Sequence, residues 1–292
     1  MNKLGGRYKM EAFVPGNPPR VLADWFDNLI TDGYMNLLGT TGSSYSSLSC
    51  VVGTGNTPPA FTDTQLAALK AVTSSGLNYL NGKELASNYS WFRQTFQFDQ
   101  GQAAGNLAEV GVSTGGILIS RALIKDAQGN PTTITVLPDE ILQVTWEFRV
   151  YWPQAAVTGT ANIAGSGTHD FSITALHTDQ PSGWVISSMN IKRMGFFQGG
   201  ISLYSGTQFL GSTSSGSLTT APYINNSFKR NASYLVPIDI GNYSAGIDWF
   251  VFGFGHSNDG YGCYYKVTLD PPIMKTAEQT LTLNVELSWA RA

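Results

Sequence analysis

Charge is what this sequence has least of: Asp, Glu, Lys and Arg make up 13% of its 292 residues, about half the share of an ordinary globular domain. The formal net charge is −3, and no run of Lys or Arg occurs that would neutralise a row of phosphates, which argues against nucleic acid as a partner. No apolar stretch approaches the roughly 18–20 residues of a membrane-spanning helix. The start, Met-Asn-Lys-Leu-Gly-Gly-Arg-Tyr-Lys, lacks the hydrophobic core of a signal peptide, so synthesis in a cytoplasm without membrane insertion is expected. Cysteine is nearly absent: Cys50 and Cys263 stand far apart in unlike contexts, which predicts buried free thiols. The three histidines, His169, His177 and His256, have no metal-binding spacing. A Walker loop, a dinucleotide fingerprint and a strand-to-helix Gly-x-Ser-x-Gly are missing too, so no metal or cofactor is expected.

Glycine (32 residues) and aromatic residues (12%) are plentiful, a balance that favours short strands joined by polar turns. A surface so poor in charge suits burial against other chains. Residues 1–20, with Pro15, Pro18 and Pro19, read as an extended arm. Val21, Leu22, Trp25, Phe26, Leu29 and Ile30 then recur at i, i+3, i+4 spacing opposite Asp24, Asp27 and Asn28, which predicts an amphipathic helix ending near Gly33 or Gly39. Val21, Leu22, Trp25, Phe26 and Leu29 are the candidate residues for docking on a neighbouring subunit. Thr62 and Gln65 form a capping box that predicts a second short helix through about Val72. From Tyr89 the pattern alternates as in strands, over Trp91–Phe98, Leu107–Val112, Ile117–Ile124 and Ile141–Trp152, and again beyond the boundary at Pro153–Val157.

The halves resemble each other. Laying Ile134–Val150 on Ile273–Trp289 places Leu142, Val144, Trp146, Phe148 and Val150 on Leu281, Leu283, Val285, Leu287 and Trp289 without a gap. The residues between are mostly polar in both, as in strands with one buried and one wet face. Upstream, Val110-Gly-Val112 matches Phe252-Gly-Phe254, and Asn88-Tyr-Ser-Trp91 echoes Asn231-Ala-Ser-Tyr234. The expected fold is mainly β: an N-terminal arm and amphipathic helix over 1–39, then two related β-sandwich-like domains over 40–155 and 156–292, with one or two short helices.

Val51-Val-Gly-Thr-Gly-Asn-Thr-Pro-Pro59, Asn106-Leu-Ala-Glu-Val-Gly-Val112, Ser120-Arg-Ala-Leu-Ile124 and the run Asn130–Arg149 resemble segments of a loosely defined group of phage and prophage tail-associated proteins. The end, Pro272–Thr276 with Leu281–Arg291, is similar to segments of the same group. The resemblance covers residues 45–152 and the last 20, and has no counterpart for 157–250. It implies a non-enzymatic virion component of the tail tip, baseplate or fibre attachment, made in the host cytoplasm. Other tail proteins and further copies of the chain, as a trimer or hexamer, would be its partners. A dedicated receptor- or carbohydrate-binding tail protein and a capsid decoration protein are the alternatives.

The acids Asp139, Glu140, Glu147, Asp248 and Asp259 cannot be paired into a glycosidase-like site from sequence, so an enzyme is not expected. For contact with a bacterial surface glycan or receptor, exposed aromatic residues that stack on sugar rings are the relevant groups. Tyr204, Phe209, Tyr223, Tyr261, Tyr264 and Tyr265 lie in or beside loop-rich stretches and are the candidates.

Overall fold

The computed structural model describes residues 1–40, 47–176, 189–196, 217–238, 246–254 and 263–292. They are mainly strand, with one helix among them. The chain divides into two compact units: residues 2–151 together with 290–292, and a second unit built from residues within 152–289.

The first unit contains β1 (Asn2–Phe13), β2 (Arg20–Asp27), β3 (Leu29–Ile30), α1 (Asp32–Gly39), β4 (Leu48–Gly53), β5 (Leu69–Thr73), β6 (Gly76–Glu84), β7 (Tyr89–Phe98), β8 (Gly105–Leu107), β9 (Glu109–Thr114), β10 (Ile117–Leu123), β11 (Ile134–Val136) and β12 (Ile141–Tyr151). One sheet runs β1-β12-β7-β6, with β2 also on β1; the other runs β3-β10-β9-β4-β5; β8 and β11 form a separate pair. Inward residues alternate along β1, β7 and β12 of the first sheet: Tyr8 and Met10, then Phe92, Phe96 and Phe98, then Val144, Trp146 and Phe148 are buried. The Tyr8 hydroxyl meets Ser120 Oγ at 2.6 Å, which ties β1 to β10 across the core. Burial pushes the Tyr8 hydroxyl well above its ordinary pKa, though the Ser120 contact opposes this, so it stays neutral. Burial also pushes up the thiol of Cys50, which is free.

The expected N-terminal arm is a central strand: β1 pairs with β12 from Lys3↔Tyr151 to Phe13↔Ile141. The expected helix over 21–30 is β2 and β3. Its helical spacing has a β explanation, because Tyr8 pairs with Phe26 while Met10 pairs with Ala23. One extra residue in β2 makes a bulge, so Ala23 and Phe26 both face inward at a separation that imitates a helix turn. The helix lies later, at Asp32–Gly39, where the Thr31 hydroxyl accepts from Tyr34 N and caps it. The second expected helix is a turn followed by β5, because Ala67 and Ala68 give their N–H groups to Glu109 and Cys50–Gly53 pairs with Leu69–Thr73. Tertiary partners override the local helix signal there.

The second unit contains β13 (Val157–Ile163), β14 (Gly167–Leu176), β15 (Ile191–Phe196), β16 (Ser217–Thr220), β17 (Lys229–Val236), β18 (Ile247–Phe254), β19 (Cys263–Ile273) and β20 (Leu281–Arg291) as far as Trp289, the last two residues of β20 belonging to the first unit. Its sheets run β13-β14-β19-β18-β15 and β16-β17-β20. The segments matched in sequence are both strands with one buried face: Leu142, Val144, Trp146, Phe148 and Val150 in β12, and Leu281, Leu283, Leu287 and Trp289 in β20, are buried. The strand order also repeats. Omitting β5 and β13, β3-β10-β9-β4 has the connectivity of β14-β19-β18-β15, and β6-β7-β12 that of β16-β17-β20.

Candidate functional site

Three of the segments that carried the resemblance, around Gly55, Glu109 and Arg121, meet in one buried knot. Glu109 and Arg121 are buried. The Arg121 guanidinium donates to Glu109 Oε2 at 2.9 Å, to Asp63 Oδ2 at 2.6 Å and to Thr57 O at 2.9 Å. Glu109 also accepts from the backbone N–H groups of Gly55 (3.1 Å), Ala67 (3.0 Å) and Ala68 (2.7 Å). Burial pulls the Arg121 guanidinium down, but Asp63 and Glu109 outweigh it and hold it above its ordinary value. A Cβ on Gly53 would stand 2.5 Å from Ala68 O and 2.7 Å from Glu109 Oε1, so the Gly-Thr-Gly segment is glycine to admit this carboxylate. The knot fixes the loop between β4 and β5 and leaves no acid free.

The outer face of β1, β12 and β7 carries the densest polar cluster. Glu147, 1% exposed, accepts from Arg7 Nε at 2.8 Å, from Arg149 Nε at 2.7 Å and from Arg93 Nε at 2.9 Å. The guanidiniums are layered with rings: Arg7 lies 4.1 Å over Trp25, Arg93 4.6 Å over Trp91, and Arg149 4.6 Å over Tyr89. Burial would raise the Glu147 carboxyl, yet the bonds from Arg7, Arg93 and Arg149 leave it below the ordinary carboxylate range. Glu140, held first of all by Arg20 at 2.6 Å, is depressed likewise. Carboxylates so engaged are poor proton acceptors. His169 is buried between Pro271 O (2.6 Å) and Ser166 Oγ (3.0 Å). Among the described residues no three His, Cys, Asp or Glu side chains lie together as metal ligands, and no helix is long and apolar enough to cross a membrane.

The residues chosen from sequence are dispersed. Phe26 is core, against Tyr8 at 6.0 Å; Trp25 is engaged with Arg7; Leu22 and Leu29 are half-buried; Val21 alone of the five is strongly exposed. They form no helical stripe. Tyr265 is not a surface residue: it is buried against Phe252 at 5.4 Å and Phe254 at 6.0 Å. Tyr204, Phe209 and Tyr261 lie outside the described residues, as does the side chain of Tyr264. Tyr223 is half-buried and stacked on Trp289 at 6.0 Å.

Two features escaped the sequence reading. The first is the paired edge of the first unit, where β5 ends one sheet and β6 ends the other. Between Leu69 and Leu85 this edge exposes Leu69 (58%), Val72, Leu77, Tyr79 (71%), Leu80 and Leu85. Six half-exposed apolar side chains, spread over both faces of the two strands, together amount to on the order of 500 Å². The second is Arg230. On β17 it shares the inward parity of Ala232, Tyr234 and Val236, a placement that the alternation Arg-Asn-Ala-Ser-Tyr already implied.

No family model, curated protein or solved structure matches this chain. The fold and these sites define a class: a two-unit, antiparallel β-sandwich protein whose buried acids are bound into structural ion pairs.

Proposed function

We propose that this chain is a non-enzymatic structural component of a phage tail that assembles with further copies of itself through the β5–β6 edge. The apolar double edge carries the reading. A free strand edge adds strands readily, but this one spans both layers of a sandwich, about 10 Å apart. A single foreign strand covers one layer; the same edge of a second copy, related by a two-fold axis, covers both. The exposed apolar side chains and strand backbone of this edge together approach the roughly 800 Å² per partner of a standard interface. Three such pairs make a hexamer. The resemblance of residues 45–152 to tail-associated proteins supplies the particle, and contact with the host surface accompanies that location.

The test is the position and copy number of the chain in a reconstruction of the whole particle, with the mass of the purified chain measured by light scattering. Even-numbered oligomers and a few copies at the tail support the reading. Hundreds of copies on a capsid, or a stable monomer that cleaves a polysaccharide, would overturn it.

A further inference from the structure

The inward face of β17 contains a cation that nothing in the described protein neutralises. Arg230 is 9% exposed, and its Nε is sealed from water without a hydrogen-bond partner. Opposite it on β20 stands Leu287, which is buried. The neighbouring Lys229 points to the other face and has already taken Glu286, at 3.0 Å. Among the described residues no carboxylate acts on Arg230; burial depresses it, and only Tyr223 pulls the other way. A buried guanidinium without an anion is costly, and apolar side chains of like size usually serve stability better. Arginine differs from them in its planar fork of donors, which takes a carboxylate through two parallel bonds.

Tyr223 defines what brings the anion. Its hydroxyl is held by the Phe228 backbone and the Ser227 side chain, beside Arg230. One face of its ring rests on Trp289, which is itself buried, so the partial exposure of Tyr223 lies away from that contact. A fixed aromatic ring beside an unpaired guanidinium matches a ligand with a flat apolar face and a carboxylate. We propose that Arg230 and Tyr223 form a binding site for an acidic saccharide, with the carboxylate on the guanidinium and the sugar ring on the tyrosine. The site belongs to the second unit and does not depend on the tail reading.

Ligand-observed NMR and calorimetry on the purified full chain test it, with methyl glucuronide and sialic acid as probes and methyl glucoside, acetate and a glutamate-rich peptide as controls. One of the acidic sugars should bind at least tenfold more tightly than the glucoside and acetate. Arg230→Met should lose that binding at least tenfold, and Tyr223→Ala should weaken it severalfold. In the absence of ligand, Arg230→Met should melt no lower than the parent, which separates a ligand-binding arginine from a structural one. Binding of neither acidic sugar, unchanged binding in Arg230→Met, or a lower melting temperature for that variant would overturn the proposal. Equal affinity for acetate, or tighter binding of the peptide, would remove the saccharide from it.

Discussion

Glu109 accepts from three backbone N–H groups and from Arg121, so one carboxylate organises a loop that has no regular structure of its own. Arg121→Met should therefore cost about 3 kcal/mol or more in chemical denaturation, because it leaves Glu109 buried and half-compensated. Gly53→Ala should also destabilise, since its methyl group would meet the backbone oxygen of Ala68 and the Glu109 carboxylate, which is held in place by its hydrogen bonds. Glu147 and Glu140 make a pH prediction. Both are held below the ordinary value of 4.5, so the stability they contribute is complete above it and is lost as pH falls through their lower folded values. Glu147→Gln should be less stable than the parent at pH 7, with the gap narrowing in denaturant titrations below about pH 4. At this scale much was legible: glycine, acid and arginine stand out in the motifs. Their convergence was not, because Gly53, Glu109 and Arg121 are far apart until β4, β9 and β10 pair.

Strands were read well where alternation was regular. Leu142 to Val150 and Leu281 to Trp289 keep period two, and both lie in strands that present one apolar face to a core. The reading failed where a partner altered the period. The bulge in β2 turned a strand into an apparent helix, and the knot turned the apparent helix after Thr62 into a turn and β5. The edge strand β6 was missed for a different reason: its apolar residues face both ways, so no periodicity marks it. Replacing Tyr79 and Leu80 together with lysine, a natural guard of sheet edges, should leave the fold intact. The light-scattering mass should halve at micromolar concentration, with circular dichroism unchanged. An unchanged mass would remove β6 from the interface.

Across the whole molecule, the two units repeat one strand order, yet the first is not completed by its own half of the chain. Arg291 donates to Ile30 O at 2.6 Å and lies 3.9 Å over Phe61, also pairing with Asp32, while Ala292 N donates to Leu4 O at 2.8 Å. Arg291→Ala should lower the stability of the first unit by about 1–2 kcal/mol, since a charge-assisted bond and a cation–π contact go together. Hydrogen exchange at β3 and α1 would report it.

These closing contacts carry a consequence for the order of events during synthesis. Domains usually fold in turn as they leave the ribosome, the earlier one first. Here the segment that secures β1 and β3 is translated after nearly all of the second unit. The first unit therefore remains unfinished until both halves have been made, and a nascent chain halted near residue 160 should be cut by protease within β1 to β3 where the longer chain resists.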